Sequence, residues 1–216
     1  MAKTFKSGVT LLILTFFCSI FIFGNSAILK NVNAAAKINQ SSSSTQIASV
    51  KYKIKDGTIT IYGKGKMPNS MTFKKNRQIH TVIIRNGVTS VSKYAFYNCK
   101  NLISLADTGI ESWVLPNVTE GSAVFYNCTQ LQSANLERWN PTKIVNLPWL
   151  FYGCENLQEF SLDGWRVPSL LSLQQAFSSC TKLEVIDLSS WTEIHSLNSL
   201  YGTFSGCTNV KEIRIP

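Results

Sequence analysis

Phe151-Tyr152-Gly153-Cys154-Glu155-Asn156-Leu157, continuing through Phe160 and Leu162 to Trp165, sets the frame of the chain. The frame returns at Phe177, Cys180, Leu183, Ile186, Leu188 and Trp191, and precedes itself at Phe125, Cys128, Leu131, Ala134, Leu136 and Trp139. A further copy runs through Phe204, Cys207, Val210, Ile213 and Ile215; a looser one holds Phe96, Cys99, Leu102 and Leu105. The cysteines advance by 29, 26, 26 and 27 residues, and Trp113, Trp139, Trp165 and Trp191 by 26 each time. A fixed period in this range is the signature of a solenoid, in which each unit buries its apolar face only against its neighbours. Phe, Cys, Leu and Trp of each unit are therefore read as a shared structural core.

Within each unit the L-x-x-L-x-L spacing predicts one short strand, with leucines inward and the intervening residues outward. Between strands, Ile144, Leu147, Phe151; Leu170, Leu173, Phe177; and Leu197, Leu200, Phe204 step by three and four. That spacing predicts a short helical or 3-10 return on the convex side; Pro148 is tolerated in a first helical turn. The fold class expected is a leucine-rich-repeat solenoid of about six coils over residues 79–216, with a parallel β-sheet on its concave face. Ahead of it, Tyr52, Ile54, Asp56-Gly57, Ile59 and Ile61 give the alternation and turn of a β-hairpin. Gly63, Gly65 and Pro68 then break the strand. Residues 51–78 are expected to form a small, basic β-hairpin cap over the first coil.

The first 34 residues read as a secretory signal peptide. Lys3 and Lys6 precede an uncharged apolar run from Val9 to Phe23, and Val32-Asn33-Ala34 offers a small-residue cleavage site, with Ala36 next. The competing reading, a membrane anchor, needs about 20 apolar residues; Phe16 and Phe17 ahead of Cys18 argue against a lipoprotein signal. Residues 35–50, with Ser41 to Ser44 in a row, read as a Ser-rich linker.

Charge is divided along the chain. Residues 37–100 carry twelve Lys and Arg against Asp56 alone, a balance of +11, whereas 101–216 carry six against eleven acids, −5. The basic residues lie along predicted strands without any nucleic-acid motif, so nucleic acid is not an expected partner. The five cysteines after the leader share one frame of the repeat, which points to buried thiols rather than disulfides; singly spaced, they lack the paired knuckles of a zinc site. His80 and His195 stand some four coils apart, which leaves no shared triad. No Gly-rich phosphate loop, H-E-x-x-H or metal-ligand cluster occurs. No catalysis, cofactor or metal is expected, and a secreted hydrolase is the remote alternative. The tryptophans allow two readings, an exposed ladder for sugars or peptides and packing between coils; their register beside the core leucine favours packing.

F-x-x-C-x-x-L-x-x-[IL]-x-L-x-x-W, best seen at Ile186-Asp187-Leu188-Ser189-Ser190-Trp191, resembles the BspA-type leucine-rich repeats of bacterial surface proteins. Asp56-Gly57-Thr58-Ile59-Thr60-Ile61, Gly65-Lys66-Met67-Pro68 and Asn86-Gly87-Val88-Thr89-Ser90-Val91 are similar to the segment that opens many of them. The resemblance covers about 51–216 and implies a cell-surface protein acting in adhesion to host proteins or other cells. The larger members carry a sorting signal or wall-binding module after the repeats. No LPxTG follows the repeats here, so covalent attachment is not expected.

Two binding surfaces are expected. Ser133, Asn135, Glu137; Glu159, Ser161, Asp163; Val185, Asp187, Ser189; and Glu212, Arg214 would stack about 4.8 Å apart as a polar, mainly acidic concave face for a protein ligand. Lys51, Lys53, Lys55, Lys64, Lys66, Lys74, Lys75 and Arg77 would hold the secreted chain on an anionic cell-wall polymer. The last coil, lacking a polar cap, offers a site for self-association. The expected function is adhesion or protein binding by a secreted chain held non-covalently at the wall. The alternative is a wall- or matrix-associated structural protein with no specific host ligand.

Overall fold

The computed structural model describes residues 50–106, 117–139, 141–191, 194 and 196–214. The leader at 1–34, nearly all of the linker at 35–50, Trp113, His195 and Ile215 lie outside the described residues. Among the described residues ten strands follow in order: β1 (Lys51–Lys55), β2 (Thr58–Tyr62), β3 (Gly65–Lys66), β4 (Thr81–Ile84), β5 (Val88–Ser90), β6 (Ser104–Leu105), β7 (Ser133–Asn135), β8 (Glu159–Ser161), β9 (Val185–Asp187) and β10 (Glu212–Arg214).

The hairpin forms where Asp-Gly places it. Asp56 and Gly57 both take positive φ, 48° and 74°, and β1 pairs antiparallel with β2 from Lys55↔Thr58 to Lys51↔Tyr62. Positive φ at both turn positions is the twist a two-residue hairpin needs. β2 then pairs in parallel with β4, so stacking of parallel strands already begins inside residues 51–78. The sheet runs β1-β2-β4-β6-β7-β8; β9 and β10 form a separate parallel pair, as do β3 and β5. The protein is a β-solenoid of stacked parallel strands. Ile59, Val82, Leu105, Ala134 and Ile186 point inward along the strands and are buried.

The returns differ from the expected helices. Among the described residues the one 3-10 turn is Glu137–Trp139, directly after β7. Each return instead carries two left-handed residues four apart: Ala123 and Asn127, Trp149 and Gly153, Gln175 and Ser179, with φ between 51° and 70°. A right-handed helix cannot pass through them. Every second N–H reaches the next coil, as in Trp149 N to Gln174 O (3.0 Å), Phe151 N to Ala176 O (2.7 Å) and Gly153 N to Ser178 O (2.8 Å). The N–H groups between bond three residues back, as in Tyr152 N to Trp149 O (3.3 Å) and Cys154 N to Phe151 O (3.0 Å). The return is thus a stack of turns zipped coil to coil, and the three-and-four spacing of its apolar residues comes from turn geometry. At Gly153 this packing is tight: a Cβ would collide with Asn127 Oδ1.

Identical side chains stack along the axis. Phe96, Phe125 and Phe151 lie with ring centroids 5.7 and 5.4 Å apart and nearly parallel, and Phe177 and Phe204 continue the column. Trp139, Trp165 and Trp191 are buried against one another at 5.5 and 5.9 Å. Leu131, Leu157 and Leu183 are fully buried with them.

Each thiol donates to the Phe carbonyl of the preceding coil. Cys128 Sγ lies 3.2 Å from Phe96 O, Cys154 Sγ 3.2 Å from Phe125 O, Cys180 Sγ 3.2 Å from Phe151 O and Cys207 Sγ 3.0 Å from Phe177 O. Each of those carbonyls also accepts the N–H of the cysteine in its own coil. Cysteine is therefore a core residue with a donor whose partner would otherwise be half-satisfied.

Candidate functional site: the strand face

Residues between the inward ones face outward along the strands, and the register carries them into rows. One row reads Lys55↔Thr58↔Thr81↔Ser104↔Ser133↔Glu159. At about 4.8 Å per step it extends about 24 Å. Thr81 Oγ1 and Ser104 Oγ share a hydrogen bond of 3.4 Å within it. A lysine stands at one end and a glutamate at the other, with small hydroxyl side chains between them. The sheet therefore joins the first basic residues and the concave-face residues on one surface, where sequence treats them as two.

The eight basic residues do not form one patch. Lys51, Lys53 and Lys55 alternate along β1 and share its strand-face side, all exposed. Lys66 lies in β3, paired with β5 in the second sheet. Lys74 sits on a return with its Nζ 4.7 Å above the Tyr94 ring. Lys64, Lys75 and Arg77 are exposed outside the strands.

The acidic expectation also changes on inspection of partners. Arg214 Nε and Nη2 clamp both Glu212 oxygens at 2.9 Å, and Nη1 donates to Asp187 Oδ2 at 3.0 Å. Lys211 Nζ bonds Glu184 Oε2 at 2.8 Å. Asp187 is held down to about 2, chiefly by the Ser189 hydroxyl, then the Ser189 N–H and Arg214. Glu212 is lowered by the Arg214 hydrogen bonds. These pairs are exposed, so they contribute little stability. They leave the β9–β10 end nearly balanced in charge rather than acidic.

A second group of expected residues serves the local backbone. Asn135 Oδ1 accepts the Glu137 N–H (3.1 Å), Ser161 Oγ the Asp163 N–H (3.3 Å) and Asp187 Oδ1 the Ser189 N–H (3.0 Å). Each polar side chain caps the turn two residues on. The row Ser133 and Glu159, with Val185 and Glu212 in the next strands, is the part that points its side chains outward without a turn to hold. Val185 is 39 % exposed.

Sequence reasoning missed an outer stack, Tyr97–Tyr126–Tyr152, with centroids 4.7 Å apart and rings within 11°. The signal was a tyrosine directly after Phe in three successive frames. The middle ring, Tyr126, is covered on both faces. Sequence reasoning also missed a groove of about 840 Å³ between β8 and β9. Among the described residues no three His, Cys, Asp or Glu stand together to hold a metal, and no helix is long and apolar enough to cross a membrane. His80 is exposed beside the hairpin turn, where its Nδ1 lies against Gly57.

No curated protein matches the sequence. A leucine rich cell surface protein from Faecalibacterium prausnitzii A2-165 is similar over 78 % of this chain and 41 % of its own, with 20 % identity and a TM-score of 0.41. A leucine-rich repeat protein from Bacteroides ovatus ATCC 8483 is similar over 80 % of this chain and 53 % of its own, at 17 % identity and TM-score 0.36. The T. pallidum leucine rich repeat protein aligns over 64 % of this chain and 90 % of its own, at 19 % identity and TM-score 0.26. The chain thus spans about half or less of the first two. A family described as BspA type leucine rich repeat region matches residues 18–106. The family described as Mycoplasma protein of unknown function, DUF285, matches residues 90–214, over half of the 216, and the chain, with its BspA-type leucine-rich repeats, belongs to it.

Proposed function

We propose that this is a secreted or cell-surface leucine-rich-repeat protein that binds another protein through its strand face, and so serves adhesion. The observation that carries the reading is the in-register outward row from Lys55 to Glu159. Such a face spreads recognition over several coils, so that no single loop must supply the affinity. Ser133→Arg with Glu159→Lys alters the row at two exposed positions that hold neither a turn nor, among the described residues, an ion pair. Against a panel of purified extracellular proteins, the double variant should bind its partner at least about tenfold more weakly, a loss of about 1.4 kcal/mol. Unchanged affinity would remove the strand face from the reading.

Lys51, Lys53 and Lys55 favour a second contact, with an anionic cell-wall polymer, because they stand together on β1. Screening shortens to about 3 Å at 1 M salt. A high-salt wash of intact cells should therefore release the protein into the supernatant, and Lys51→Glu/Lys53→Glu/Lys55→Glu should never be retained. Retention of either through the wash would exclude this mode of attachment.

A further inference from the structure

The strand ladder is interrupted between β8 and β9. β7–β8 and β9–β10 are both paired, with flanking bonds such as Leu136 N to Ser161 O and Leu188 N to Arg214 O, each 2.9 Å. Among the described residues, β8 and β9 share no such pairing. The returns of the same two coils stay zipped through Phe151 N to Ala176 O. The two coils therefore gape on the strand side alone. Phe160 explains the gap. It occupies the inward column held by Ala134 in the coil before and Ile186 in the coil after, and its ring is only half-buried. It presses on Phe177 at 4.8 Å, and Phe177 is tilted 31° from Phe151 where Phe125 and Phe151 differ by 9°.

We propose that this groove is where the strand face seats its partner, and that the occupant is a short extended peptide segment; the inference rests on the protein-binding reading above. Two facing strand edges with open N–H and C=O groups are a template for another main chain. Phe160 and the exposed Val185 give an apolar floor for one side chain. Glu159 and Lys182 stand on opposite banks and, among the described residues, neither has an ion-pair partner, whereas Glu184 and Arg214 are already paired. The segment thus offers an apolar residue flanked by one basic and one acidic side chain. Its length is limited: a fully inserted strand needs two spacings, about 9.6 Å, while the return side stays closed at one. Only a few residues enter, from the strand face.

Hydrogen exchange tests the gap and a phage-displayed library of linear heptapeptides tests the occupant. The amides of Glu184 and Val185 should exchange at least about tenfold faster than their counterparts one coil earlier, Gln158 and Glu159, which bond Gln132 O. Phe160→Ile, which matches Ile186, should close the ladder, slow that exchange, and weaken the selected peptides at least about tenfold. Lys182→Glu, at an exposed position, should weaken them without altering the exchange. Equal protection of the four amides overturns the proposal, as does a library that yields no binders or binders indifferent to both variants. Should protein partners respond to Ser133→Arg/Glu159→Lys while no peptide responds to Phe160→Ile, the groove fails and the strand-face reading stands.

Discussion

Trp165→Ala is expected to destabilise the protein by about 3–5 kcal/mol, against a usual domain total of about 5–15. The indole is fully buried, 5.5 Å from Trp139 and 5.9 Å from Trp191, so its removal empties the space between two further tryptophans. Its Nε1 donates to Leu136 O at 2.7 Å, a bond to the preceding coil. Neighbouring coils cannot collapse onto the void, because the returns fix their separation by backbone hydrogen bonds. Urea denaturation reads the loss directly. Trp165→Phe separates the two contributions: it keeps an aromatic ring but removes one of the two donors to Leu136 O, which still accepts the Trp139 N–H, at about 0.5–1.5 kcal/mol. Trp191→Phe should cost less, since Trp191 Nε1 has no partner among the described residues. A loss below about 1 kcal/mol for Trp165→Ala would mean that the indole packs nothing, contrary to its burial.

The parts legible in the sequence are those where one side chain recurs at one position. Phe, Cys, Leu and Trp repeat because every coil meets the same neighbours, and a period is visible without knowing what lies between. The hairpin was legible for a local reason, since Asp56-Gly57 encodes its own turn. The returns were not. Apolar steps of three and four fit a helix and a chain of turns equally well, and the deciding feature is left-handed backbone at Ala123, Trp149 and Gln175. Those residue types carry no preference for it; the inter-coil hydrogen bonds impose it. The gap between β8 and β9 depends on one side chain, Phe160, being larger than its neighbours in the column, which an apolar pattern scores as a match. Charge pairing was hidden too. Arg214 and Asp187 are 27 residues apart, and only the register of β9 on β10 brings them to 3.0 Å.

Raising the pH above about 8.5 should progressively destabilise the protein through its thiols. Cys99, Cys128, Cys154 and Cys180 are buried, and desolvation raises their pKa; Cys99 is pushed up to about 11 and the others are raised as well. For Cys180 the largest cause is the neighbouring Cys207 thiol, and burial adds to it. The unfolded chain ionises these thiols near pH 8.5. A group whose folded pKa lies above its unfolded one stabilises the fold fully below the unfolded value, and that stability is lost as pH rises through the interval between them. Each thiol that stays protonated only in the fold removes up to about 1.4 kcal/mol per pH unit, or about 2 kcal/mol by pH 10. The four losses act in the same direction, so the decline steepens with each buried thiol. Cys207, half-buried and lowered by its hydrogen bond with Cys180, adds nothing to the loss and should be alkylated by iodoacetamide while the fold persists. The midpoint of urea unfolding should therefore fall steeply between pH 8.5 and 10, with alkylation of the remaining four thiols tracking the unfolded fraction. Cys154→Ala should flatten the slope by about a quarter even though it lowers the plateau at neutral pH, because it removes one titrating group and one donor to Phe125 O. A stability that stays level from pH 8 to 10, or four thiols that alkylate as fast as Cys207 at neutral pH, would contradict the packing of the cysteine column.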